Sequence, residues 1–210
     1  SSGIPMLGLE PIRGPVLLLD WETNLEIANN TQRAIAGGLN LPGVPDFFYL
    51  RCRRPLTDII ESVEAIVKRE GIVLGISDSM VKACGGEKEA KENALPTMNA
   101  LGSLGITCLG ISHRPKGDLG KTSGAYGSVF FENDVRQAFR VEAPPTLEGG
   151  NTSQVALFHT KHNLMGMLHP IGYKITWSDM LGTQFETEDV GTMKDIKALL
   201  GVASQIQAAL

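Results

Sequence analysis

Apolar residues along this chain follow two alternating rhythms. Short aliphatic runs, Val16-Leu-Leu-Leu19 and Ile72-Val-Leu-Gly-Ile76, alternate with segments whose apolar residues recur at three- and four-residue steps. A short continuous run bounded by turn residues marks a strand buried in a parallel sheet, whereas the wider spacing marks one face of a helix. Residues 15–20 are therefore expected as a strand. Asn24–Leu39 is expected as a helix, with Leu25, Ile27, Ala28, Ile35 and Ala36 apolar and Gly37-Gly38 as its stop. Phe47–Leu50 reads as a short aromatic strand. Leu56, Ile59, Ile60, Val63, Ile66 and Val67 make Thr57–Glu70 the most regular amphipathic helix. Ile72–Ile76 is the next strand, Lys82–Glu92 a polar connection, Ala94–Leu104 a helix and Thr107–Ile111 a strand. The glycine-rich stretch from Lys116 to Gly127 reads as loop. Beyond it Ser128–Phe131, Gln137–Val141, Val155–His159 and Tyr173–Trp177 are expected strands, the last two joined by a turn at Pro170-Ile-Gly172, and the tail from Thr192 is helical. Three βα units followed by successive strands define an α/β fold with a mostly parallel sheet and a β-rich C-terminal part.

Composition narrows the class. At 210 residues and 42% hydrophobic content the chain can bury one sizeable core, so residues 1–210 are expected to form a single domain. No stretch approaches the roughly 18 apolar residues that span a bilayer, and the opening Ser-Ser-Gly-Ile-Pro-Met lacks the basic and apolar regions of a secretory signal. Cys52, Cys84 and Cys108 are odd in number, widely spaced and without a C-x-x-C pair, the usage of reduced thiols in a cytoplasmic protein and not of a disulfide frame or zinc site. A net charge of -4 excludes a uniformly basic surface for coating nucleic acid but leaves room for a local patch.

The strand ends carry the candidate chemistry. The first predicted strand ends on Asp20 and Glu22, the next long aliphatic strand on Asp78, and the following one runs into Ile111-Ser-His113. Open α/β sheets present their ligand-binding groups at the carboxyl ends of the strands. Acids and a histidine delivered there point to a nucleotide-hydrolysing core.

The order of these pieces resembles a known family. Pro15-Val-Leu-Leu-Leu-Asp-Trp-Glu22, Ile76-Ser-Asp78-Ser79, Gly110-Ile-Ser-His113-Arg-Pro-Lys116, Tyr126-Gly-Ser-Val-Phe-Phe-Glu-Asn-Asp-Val-Arg136 and His159-Thr-Lys161-His-Asn163 are similar, in sequence and succession, to the RecA-like core of phage- and plasmid-encoded AAA family ATPases related to the RepA and DnaB hexameric helicases. The resemblance covers nearly the whole chain. It implies a three-layer RecA-like core, ATP and Mg²⁺ as cofactors, a homo-oligomer with a hexameric ring favoured, single-stranded DNA as partner, and no membrane. The family's phosphate-binding loop, G-x-x-x-x-G-K-[ST], is expected upstream of the Glu22 strand, together with a central strand of the sheet. Gly117-Asp-Leu-Gly-Lys-Thr122 is an incomplete substitute, because the first glycine of the pattern would fall on Pro115 and no apolar strand precedes it.

Residue by residue, the resemblance implies the following roles. Glu22 matches the glutamate that polarises the attacking water; the competing reading is an acid favoured at a helix start. Asp20 either supports that site or caps the local turn. Asp78 matches the Walker B aspartate that holds Mg²⁺ through water, with Ser79 a weaker candidate beside the nucleotide; the alternative is a turn or helix cap. His113 occupies the position of a polar switch residue that contacts the terminal phosphate; a structural histidine is the alternative. Arg114, Lys116, Lys121 and Tyr126 fall on the loop that lines the central channel of related hexamers, where cations track a single-strand backbone and an aromatic stacks on bases; a solvated charge cluster is the alternative. Lys161 stands where relatives carry a K-x-R pair that reaches a neighbouring subunit's nucleotide, but Asn163 replaces the arginine, leaving Arg136 and Arg140 as other donors. Arg51, Arg53 and Arg54 read as a solvated edge.

Three function classes follow: a RecA-like ATPase motor acting on DNA in replication or recombination, a non-catalytic DNA-binding or assembly module of the same fold, and a nucleotide-cofactor oxidoreductase whose glycine fingerprint would lie upstream.

Overall fold

The computed structural model describes residues 13–86, 90–113, 129–144, 150–163, 166, 168–194 and 196. Two compact units are present: residues 1–30, 45–115 and 124–134 form one, and residues 31–44, 116–123 and 135–210 the other.

The first unit contains a parallel sheet flanked by helices. Its strands are β1 (Val16–Asp20), β2 (Phe48–Arg51), β3 (Leu74–Asp78) and β4 (Thr107–Ile111), in the order β2-β1-β3-β4. Between them run α1 (Leu25–Gly38, which continues into the second unit), α2 (Leu56–Glu70), the single turn α3 (Met80–Ala83) and α4 (Ala90–Ser103); α5 (Val129–Asp134) follows β4. The sheet register decides where the acids sit. Asp20 lies level with Arg51 on one side and with Asp78 on the other, so both aliphatic runs release their carboxylates at the same edge.

Burial explains why the sheet holds that register. Leu17 and Leu19 of β1 pack with Leu56, Val63 and Val67 of α2, Ala94 and Leu101 of α4, and Phe131 of α5 in one core. Each fully buried aliphatic side chain contributes about 1.5–3 kcal/mol, and a one-residue slip would turn Leu17 and Leu19 away from that core. Helix α2 is finished by local chemistry as well. Asp58 lies in its first turn and Lys68 and Arg69 in its last, each complementing the helix dipole, and Gly71 closes it in the left-handed conformation (φ 60°) with its N–H donating to the Val67 carbonyl. The three cysteines are unbridged, and burial pushes the Cys52 thiol up to about 11 and raises Cys84 and Cys108 as well.

The second unit contains an antiparallel meander of β5 (Gln137–Glu142), β6 (Thr152–His162), β7 (Ile171–Ser178) and β8 (Gly182–Glu188), ordered β5-β6-β7-β8. Ala156 and Phe158 of β6 pack with Val190, Met193 and Ile196 in its core.

Several sequence expectations are corrected here. Val129–Phe131, expected in a strand, is the start of α5: a three-residue apolar run carries no period of its own, and Phe131 is buried against the core while Glu132, Asn133 and Asp134 stay exposed. Helix α1 does end at the pair Gly37-Gly38, as expected, but neither glycine takes the left-handed conformation, and the following residue with positive φ is Asn40 (51°). Gly38 is required instead for close approach, since a Cβ there would sit 1.8 Å from the Thr183 carbonyl oxygen. Strand β8 was not expected, because Gly182-Thr-Gln-Phe-Glu-Thr-Glu188 is a polar sheet edge with one large apolar residue. In the expected helical tail, residues 194 and 196 are helical and 197–210 lie outside the described residues.

Candidate active site at the edge of the parallel sheet

Asp20, the last residue of β1, is 1% exposed and organises the loop that follows it. Its Oδ1 accepts the backbone N–H groups of Glu22 and Thr23, both at 2.7 Å. Its Oδ2 accepts the Thr23 hydroxyl at 2.6 Å and the Tyr49 hydroxyl at 2.9 Å. Arg51 adds an ion pair at 3.3 Å to Oδ1 and donates to the Asp20 carbonyl at 3.1 Å. Burial works to raise the carboxyl's pKa, but the hydrogen bonds from Thr23, the Glu22 N–H and Tyr49 together hold it below its ordinary value. The same contact, with desolvation as the larger cause, pushes Tyr49 up to about 12. Asp20 therefore spends its acceptors on the loop, the capping alternative of the sequence reading. Arg51 is exposed on the outermost strand, as expected of a solvated edge, and β2 also places its guanidinium beside Asp20.

That loop aims Glu22 across the sheet edge to the segment after β3. Glu22 Oε1 accepts the Ser79 hydroxyl at 2.7 Å, and Oε2 pairs with the Lys82 ammonium at 2.5 Å. Ser79 is buried at the start of α3, and Lys82 lies three residues on, which on a helical turn is the same face. The Lys82 bond, then the Ser79 bond, hold the Glu22 carboxyl below its ordinary value, and His113 adds a smaller pull in the same direction.

Asp78 contrasts with both. Burial comes first, then the Glu22 and Asp20 charges, in pushing its pKa up, with His113 and Lys82 opposing weakly. Among the described residues no side chain donates a hydrogen bond to its carboxylate, and the Asp78–Ser79 peptide bond is cis. A half-buried carboxylate crowded by two like charges favours a cation. Among the described residues no group of three or more His, Cys, Asp or Glu side chains could enclose a metal ion. A cation at Asp78 would take most of its ligands from water or a bound phosphate, the habit of Mg²⁺.

The structure thus brings Asp20, Glu22, Asp78 and Ser79 to one sheet edge. His113 lies two residues past β4, exposed, and its charge reaches Glu22 and Asp78. Lys161 and Arg136 belong to the second unit. Lys161 lies on β6 opposite Ala138, and Arg136 is exposed just before β5, its carbonyl accepting the Asn163 N–H at 3.1 Å. Arg114, Lys116, Lys121 and Tyr126 lie outside the described residues. Lys82, Tyr49 and Thr23 were missed by sequence reasoning. Lys82 opens a polar stretch without periodicity, and only its position three residues after Ser79 hinted at a shared face.

No protein-family model matches the chain, and no curated protein sequence does. Its structure does have a neighbour: a KaiC-like protein from the hyperthermophilic archaeon Pyrococcus horikoshii OT3, with a TM-score of 0.52, 15% identity, and coverage of 82% of this chain and 75% of the other. The fold is RecA-like. At that identity the likeness is one of architecture, and the site stands on the geometry above. Among the described residues no helix is long and apolar enough to cross a membrane.

Proposed function

We propose that this chain is a nucleotide-binding domain of RecA-like ATPase type whose catalytic edge is formed by Glu22 and Asp78. The observation that carries the reading is the register that sets the ends of β1 and β3 level, with Glu22 bonded to Ser79 next to Asp78. Mg²⁺, when bound at Asp78, would neutralise charge on the nucleotide phosphates. Glu22 accepts a proton from the attacking water at a carboxylate oxygen while that water's oxygen bonds to the terminal phosphorus and the bridging P–O bond breaks. Asp20 takes no part in the proton transfer, because its oxygens hold the loop that positions Glu22.

The finer assignment is a motor of the RepA and DnaB type acting on single-stranded DNA as a ring-shaped homo-oligomer. It is supported by the order of the family-like motifs and by the cations Arg114, Lys116 and Lys121 with Tyr126 in one glycine-rich stretch. Lys161 and Arg136 are its candidate donors to a neighbouring subunit's nucleotide, and the protein would then work in the cytoplasm as one RecA-like domain. A second reading, a non-catalytic DNA-binding or assembly module, is favoured by the engagement of both Glu22 oxygens by Ser79 and Lys82.

Glu22→Gln in the full-length protein separates the two. The substitution keeps the size and removes the proton acceptor. Turnover of Mg-ATP should fall by roughly 10²-fold or more with nucleotide affinity near wild type. Turnover within a few-fold of wild type, or a wild-type protein without turnover, sinks the catalytic reading.

A further inference from the structure

The Glu22 carboxylate is held from two directions by one short segment. Ser79 and Lys82, at the head and third position of the α3 turn, each take one of its oxygens, from 57 and 60 residues away in sequence. Ser79 is 1% exposed, whereas the Lys82 side chain is half exposed and the Glu22 side chain 24% exposed. The buried hydroxyl alone fixes one oxygen and leaves the carboxylate free to rotate about that bond. A second, charge-assisted bond removes this freedom, because two donors on two oxygens define the plane of the group. Among the described residues, the other charges near Glu22 act differently. Asp78 repels it, Asp20 is tied to its own loop and to Arg51, and His113 acts only at longer range.

We propose that Lys82 is a positioning residue that, with Ser79, fixes the orientation of the Glu22 carboxylate for proton acceptance. This rests on the reading of Glu22 as the base. Lys82 does not touch the reacting atoms. Its effect passes through Glu22, and it sits four residues after Asp78, the last residue of β3, so the base and the cation-binding acid are referenced to one short segment. A carboxylate displaced by about 1 Å from its productive pose can lose roughly 10²-fold in rate, which sets the scale of what the tether can contribute.

The experiment compares full-length wild type with Lys82→Ala, Lys82→Arg, Glu22→Gln and the Glu22→Gln/Lys82→Ala double variant. Three quantities are read: kcat and KM for Mg-ATP, the Kd of a non-hydrolysable ATP analogue, and the denaturant midpoint without nucleotide. Lys82→Ala should lower kcat about 10- to 100-fold with KM and Kd within two- to three-fold of wild type. Lys82→Arg should recover most of the loss. Adding Lys82→Ala to Glu22→Gln should cost no further turnover, since a tether has nothing left to hold, and the two midpoint shifts should be non-additive. A wild-type kcat in Lys82→Ala overturns the proposal. So does a raised Kd with kcat unchanged, which would make Lys82 a direct phosphate contact, or a further drop in turnover on the Glu22→Gln background. Additive midpoint shifts overturn it too, whatever the turnover. The two ideas fail separately. Loss of activity in Glu22→Gln without loss in Lys82→Ala leaves the base and removes the tether, whereas retained activity in Glu22→Gln removes the base and with it any role in orienting one.

Discussion

Tyr49 donates its phenolic hydrogen to Asp20 Oδ2 at 2.9 Å, from β2 to the adjacent β1. The bond ties the sheet edge to the loop that carries Glu22. Tyr49→Phe keeps the ring and removes the donor to a buried charged acceptor, so it should cost about 2 kcal/mol of stability. Chemical denaturation of the two proteins checks this, and equal midpoints would show that water replaces the hydroxyl.

Asp78 and the tethered acids respond to pH with opposite signs. The folded pKa values of Asp20 and Glu22 lie below their ordinary values of 3.8 and 4.5, so the stability they supply is present above those values and lost as pH falls through the folded ones. Acid unfolding should therefore begin below roughly pH 4. Glu22→Gln should flatten that part of the curve, and an unaltered acid limb would remove Glu22 from it.

Asp78 is raised, so its contribution is present at low pH and lost as pH rises through its folded value. Asp78→Asn should raise the thermal midpoint at pH 7 in metal-free protein, because it relieves crowding with Glu22 and Asp20. Mg²⁺ at about 100 times its Kd should stabilise the wild type by about 2.7 kcal/mol and the variant hardly at all. Equal Mg²⁺ stabilisation of both would take the cation site away from Asp78.

Gly38 sets helix propensity against sterics. In an exposed helix, Gly→Ala stabilises by about 1 kcal/mol. Here a Cβ would meet the Thr183 carbonyl oxygen at 1.8 Å, and backbone cannot step aside as a flexible side chain can. Gly38→Ala should destabilise by roughly 1–3 kcal/mol, whereas Gly43→Ala, whose Cβ would meet nothing within 4 Å, should stay within about 0.5 kcal/mol of wild type. Thermal melts of the pair decide it, and a neutral Gly38→Ala would show that β8 moves freely there.

If the glycine-rich stretch tracks single-stranded DNA, replacing Lys116 and Lys121 with Ala should weaken binding and reduce the salt slope by up to roughly two. Titrations of a fluorescent oligonucleotide at several salt concentrations measure this directly. An unchanged slope assigns both lysines to solvent.

The aliphatic runs ending at Asp20 and Asp78 and the three- and four-residue spacing of α2 made the parallel α/β half legible, because a buried strand and an amphipathic helix write their environment into consecutive residues. Glu22, Asp78 and Ser79 were legible as candidates for the same reason: each closes or directly follows an aliphatic run. What stayed hidden depended on pairing across distance. Strand β8 is polar because it is a sheet edge, α5 carries too few apolar residues to display a period, and the Gly38 contact involves a strand more than 140 residues away. Sequence alone determined the four strands of the parallel sheet and the acids that end β1 and β3, although it also read α5 as a strand. Only the tertiary structure decided that Asp20 is consumed by its own loop while Asp78 has no side-chain donor among the described residues, and that Lys82 clasps Glu22, because the sheet register and the α3 turn set those distances and no local pattern encodes them.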